Sequence, residues 1–140
     1  MKSSAGAKSQ KLRASRSADA TFRRNQANKR KVPLTFSVIA RCKRTGMFGI
    51  AIATRPLAIG AKCPFLKPGI GGLVSQANGD PRFGPLGLKM LEMGFAAPKV
   101  LRGLEDNDPH IEWRQIAVID QEGRTAARTG KDNEDHKSHI

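Results

Sequence analysis

Large apolar side chains are scarce up to residue 34 and recur in short, regular runs from residue 35 onward. Thr35 to Arg41 places Phe36, Val38 and Ala40 on one face and Ile39 on the other, the period-two pattern of a mostly buried strand. Met47 to Thr54 is apolar on both faces, and Cys42–Gly46 between the two runs reads as a short hairpin connection. A sheet covered on both sides is expected. With Arg41 opposite Met47, antiparallel pairing sets Thr35 opposite Ala53, beside Thr54 and Arg55.

Residues 55–69 hold Pro56, Pro64 and Pro68 with several glycines and read as a loop, after which Ile70–Ala77 reads as a Gly-rich third strand suited to close backbone approach. From Pro85 to Met93 apolar residues return every three or four positions and Gly94 closes the run, the pattern of a short helix. A second helix starts near Ala97, with Pro98 at its first position, and stops at Asp106-Asn107-Asp108-Pro109. Arg114–Asp120 is a further strand, Gln121–Gly123 a turn and Arg124–Thr129 a returning strand. The expected class is α+β: about five strands in a mainly antiparallel sheet, with a helical hairpin on one face. The other apolar face of that sheet then needs a further layer, from a partner or from sequence outside this chain.

Charge changes the picture mainly for residues 1–34. Ten Lys and Arg against a single acid, Asp19, place +9 of the formal +13 there and leave +4 for the rest. Such a Ser-, Ala- and Lys/Arg-rich stretch cannot bury enough apolar surface to offset ordering, so a disordered basic extension is expected. Any nucleic-acid or anionic-surface contact would belong to it, through a patch such as Lys29-Arg30-Lys31, and its composition also suits an organellar transit peptide. Cys42 and Cys63 match neither a CxxC redox motif nor a zinc pattern, and no run approaches a membrane span, so the expected setting is the reducing cytoplasm. No cofactor or metal is called for. Gly69-Ile70-Gly71-Gly72 leads into strand and lacks the Gly-Lys-Ser/Thr ending of a phosphate loop. Asp120 and Glu122, as turn acids, are expected to be solvated and do not form a glycosidase pair. His110, His136 and His139 read as surface residues.

Several short segments stand in a fixed order along the chain. They are Thr35-Phe36-Ser37, Thr45-Gly46 with Gly49, Leu57-Ala58-Ile59-Gly60 with Pro64, Gly69-Ile70-Gly71 running into Ser75-Gln76-Ala77-Asn78, and Pro81-Arg82-Phe83-Gly84-Pro85 with Gly87-Leu88. Arg114-Gln115, Val118-Ile119-Asp120, Gly123, Ala126-Ala127 and Thr129-Gly130 complete the set. As an ordered set they resemble the DUF1028 family, an uncharacterised Ntn-hydrolase-like family; the resemblance covers about residues 35–130 and implies the first half of an αββα sandwich. Residues 131–140 depart from the family's Cys- and Trp-containing continuation, so a partial domain is expected, which a homodimer could complete.

The resemblance also implies chemistry. In Ntn hydrolases the first residue of the mature chain attacks an amide carbonyl, and its own α-amine, titrating near pH 8, takes the proton. It places Thr35 in that role, for a small amide substrate. This requires Thr35 to become a chain terminus, by processing or by a true start at Leu34, since the family often begins Met-Thr-Phe-Ser. Read without the resemblance, Thr35 is a β-favouring residue at a strand start. Thr54 and Arg55 can orient a substrate carboxylate or stabilise an oxyanion, or Arg55 is simply solvated. Ser75, Gln76 and Asn78 end the third strand, where the amides can donate to an oxyanion; Asn78-Gly79-Asp80-Pro81 also reads as a turn.

Overall fold

The computed structural model describes residues 35–133 and 137–140. The basic extension, with its expected disorder, targeting and nucleic-acid contacts, lies outside the described residues, as do Leu34 and His136. The described chain is α+β, with six strands and two helices: β1 (Phe36–Arg41), β2 (Phe48–Ala53), β3 (Pro64–Lys67), β4 (Gly71–Ala77), α1 (Phe83–Glu92), α2 (Ala97–Asp106), β5 (Arg114–Asp120) and β6 (Thr125–Thr129). None of its helices is long and apolar enough to cross a membrane.

β1 and β2 form a two-stranded antiparallel sheet, and β3-β4-β5-β6 form a second, four-stranded one. The hairpin register is displaced by one residue from the expected one, with Arg41 opposite Phe48 and Phe36 opposite Ala53. The cause is the turn. Cys42 and Met47 still pair, the Cys42 N–H reaching the Met47 carbonyl at 2.8 Å, so the loop is four residues rather than five. Gly46 closes it from the left-handed region at φ 71°, its N–H bonded to the Cys42 carbonyl.

β3 lies inside the stretch read as a loop. Pro64 is the first residue of an edge strand and Pro68 follows its end, positions where a missing N–H costs no ladder bond. α1 begins two residues before Pro85, because the Asp80 carbonyl accepts the Phe83 N–H and its carboxylate the Arg82 N–H, which starts the first turn early. It ends as expected, with Gly94 at φ 86°.

Alternation then decides which layer each strand residue enters. Leu73, Ile116 and Val118 point to the helices and join Phe83, Leu91, Val100, Leu101 and Leu104 in the main core. The opposite face of the same sheet carries Val74, Gln76, Gln115, Ala117 and Ile119, and the β1–β2 hairpin lies over it. The layers are thus helices, four-stranded sheet, hairpin. The sheet covered on both sides is the four-stranded one, not the hairpin, whose outer face leaves Phe36 67% and Val38 44% exposed.

Candidate functional site

The open end of the hairpin is where the chemistry-bearing residues gather. Thr35, Ser37 and Thr54 share its inner face, and the Thr35 and Thr54 hydroxyls meet at 2.8 Å. The register shift makes this contact, since it moves Thr54 across from Thr35. Thr35 is exposed and Thr54 half-buried, so the pair is open to solvent from the strand start. Arg55 follows at the same end, exposed and without an ion pair among the described residues.

Below the hairpin, a row of polar side chains crosses the four-stranded sheet. Gln76, Gln115 and Thr129 are direct cross-strand partners, so their side chains stand side by side. The Ser37 hydroxyl donates to Gln76 Oε1. Gln76 Nε2 donates to Gln115 Oε1 at 2.6 Å, and Gln115 Nε2 to Thr129 Oγ1 at 2.9 Å. Thr129 Oγ1 in turn lies 3.0 Å from His139 Nδ1.

The direction of this row is set at its far end. Gln115 Nε2 also bonds the Ser138 carbonyl at 3.0 Å, and a carbonyl only accepts. The amide of Gln115 therefore faces Ser138, its oxygen faces Gln76, and the Gln76 oxygen faces Ser37. One N–H of Gln76 is committed to Gln115, and what Gln76 turns toward the hairpin is an acceptor. A part-buried amide row satisfied in this way costs little, whereas one broken link leaves its neighbours unpaired.

Ser75 and Asn78 stand elsewhere. Ser75 is fully buried on the helix side of β4, where its hydroxyl accepts the Asp80 N–H at 3.2 Å. The backbone of Asn78 serves the turn after β4: its N–H reaches the Trp113 carbonyl at 3.3 Å, and its own carbonyl accepts from Arg114. Ala77, at φ 64°, makes the turn directly after Gln76, a left-handed conformation unfavourable for a residue with a Cβ. The structure thus brings Thr35, Thr54, Arg55 and Gln76 to one end of the hairpin and holds Ser75 and Asn78 apart from them.

Ser37, Gln115 and Thr129 are the members of the cluster that sequence reasoning did not single out. Each is a polar residue on the inward-facing side of its strand, which alternation makes readable. Their mutual contact is not, because β4 and β5 are separated by both helices. Asp120 differs from expectation too. It is 2% exposed rather than solvated, holding the Ala97 N–H at the start of α2 at 3.0 Å and Arg124 Nε at 2.7 Å. The two cysteines are free: Cys63 is buried, which raises its thiol, while Cys42 is exposed and lowered by hydrogen bonding from the Thr45 side chain.

No curated protein is significantly similar to the chain. Among solved structures it is similar to the crystal structure of protein SPO2555 from Silicibacter pomeroyi, assigned to the same DUF1028 family model, with a TM-score of 0.73 and 31% identity. That match covers 77% of this chain and 50% of the other, so the chain spans half the length of the relative it matches. The family model for DUF1028, a family of unknown function, matches residues 35–140, ten residues beyond the motifs read from the sequence, and the chain belongs to that family.

Proposed function

We propose that this chain carries the nucleophile of an Ntn-type amidohydrolase, with Thr35 as the attacking residue once it is the first residue of the mature protein. The observation that carries this reading is the Thr35–Thr54 hydroxyl pair, 2.8 Å apart at the solvent-open end of the hairpin. A free α-amine on Thr35 sits on the Cα next to the Cβ that carries the hydroxyl, and it is a workable base near neutral pH. Thr35 Oγ1 adds to the amide carbonyl and its proton passes to the α-amine. The C–N bond then breaks, and the leaving amine takes that proton. Water, activated by the same α-amine, hydrolyses the resulting ester and frees the threonine.

Thr54 positions the attacking oxygen through the hydroxyl pair, and Arg55 supplies the charge for a carboxylate on the substrate. Gln76 acts one step removed, as the acceptor that orients Ser37. The test starts with intact-mass analysis of the native product, which should begin at Thr35. The Thr35-initiated chain is then treated with a β-lactone that acylates N-terminal threonines. An adduct on Thr35, lost in Thr35→Ala and formed about tenfold more slowly in Thr54→Val, is the expected result, a tenfold effect being about 1.4 kcal/mol. A native chain that begins at Met1, or equal labelling of Thr35→Ala, overturns the reading.

A further inference from the structure

The opposite end of the hairpin holds a cleft of about 440 Å³. That volume lies within the usual range of small-molecule sites. Its walls are largely apolar, with Met47 and Phe48 at the start of β2 facing Leu66 and Pro68 at the end of β3. Two cations stand in this lining, Arg41 and Lys67. They are not equivalent. Lys67 is already bound to Glu92 of α1. Arg41 has no carboxylate or hydrogen-bond partner among the described residues and rests against the Phe48 ring, 6.0 Å from its centroid.

Arg41 is half-buried and spans two turns. A Cβ on Gly46 would lie 3.7 Å from its Nη2, and one on Gly123, in the β5–β6 turn, 3.8 Å from its Cδ. Both glycines have left-handed backbone, φ 71° and 83°. The Arg41 side chain therefore passes between the hairpin turn and the β5–β6 turn, and its guanidinium donors have no protein acceptor among the described residues. Apolar surroundings strengthen whatever anion it meets, since less water competes for the charge.

We propose that this cleft binds a small organic monocarboxylate with an apolar body, its carboxylate on the Arg41 fork and its body against Met47, Phe48, Leu66 and Pro68. The single unpaired cation argues for one negative charge rather than a polyphosphate, and the apolar walls for a ligand that is mostly hydrocarbon. The planar guanidinium matches a carboxylate in two parallel hydrogen bonds. The site is separate from the candidate nucleophile: six strand residues at about 3.3 Å each put Arg41 roughly 20 Å from Thr35. It stands or falls independently of the hydrolase reading.

Titration of the full-length, ¹⁵N-labelled chain with octanoate, and with octan-1-ol as the uncharged counterpart, tests this. Octanoate should shift the amides of Gly46, Gly69 and Gln121, which border the cleft. Arg41→Gln should weaken octanoate at least tenfold and leave octan-1-ol unchanged, and Arg41→Lys, which keeps the charge but not the fork, should fall between Arg41→Gln and wild type. If Arg41→Gln does not fold, the wild type decides through salt: octanoate binding should weaken with ionic strength and octan-1-ol binding should not. No octanoate shifts, shifts confined to the Phe36–Val38 face, or equal octanoate binding by Arg41→Gln would each overturn the proposal.

Discussion

Asp120 accepts four hydrogen bonds, from the backbone N–H groups of Ala97, Glu122 and Arg124 and from the Arg124 guanidinium. Burial pushes its carboxyl up, but these bonds outweigh burial and hold it below its ordinary value of 3.8. A carboxyl that is more acidic folded than unfolded stabilises the fold fully above its unfolded pKa, and the contribution disappears as pH falls through the folded value. Urea denaturation should therefore show stability dropping below about pH 4, and Asp120→Ala should lose about 2–3 kcal/mol at pH 7 with a flatter acid limb. An unchanged acid limb would mean that other carboxylates, such as Asp80 beside Arg82, dominate it. The sequence shows an acid at the end of a strand. It does not show that the start of α2, 23 residues earlier, comes back to that acid.

Each element's existence was legible where one period dominated. β5 spans Arg114–Asp120 as read, and α2 starts at Ala97 with Pro98 in its first turn. β3 was not legible, because Pro64 and Pro68 bracket only four residues and its partner, β4, supplies the pairing. The glycines of α1 carry information of another kind. A Cβ on Gly84 would run into the Phe65 ring, and one on Gly87 would come within 2.8 Å of Leu73. The helix thus lies against β3 and β4 at a distance only glycine permits. Gly84→Ala, normally favourable in a helix, should instead cost roughly 1–3 kcal/mol through overpacking. Chemical denaturation measures it, with Leu86→Ala on the exposed side of α1 as a near-neutral control. A stabilised Gly84→Ala would show that α1 can move away from the sheet without loss.

At the scale of the molecule, the layered order leaves the outer face of the hairpin, with Phe36 and Val38, exposed. Contiguous apolar surface of this kind binds hydrophobic dyes and limits solubility. Phe36→Thr with Val38→Thr keeps β propensity while adding polarity, so it should reduce 1-anilinonaphthalene-8-sulfonate fluorescence and raise the soluble concentration. Equal dye binding by the variant would place the dye on another surface. Both mixed α+β character and the pairing of β1 with β2 were determined by the sequence alone, because period, turn residues and chain proximity are local properties. Tertiary structure decided the rest: which apolar face is covered, that Gln76 and Gln115 join one row while Ser75 faces the helices, and that Thr54 rather than Ala53 stands across from Thr35. The physical reason lies in strand geometry. A shift of one residue exchanges the two faces of a strand, and the choice rests on a turn bond and on contacts between segments far apart in the chain.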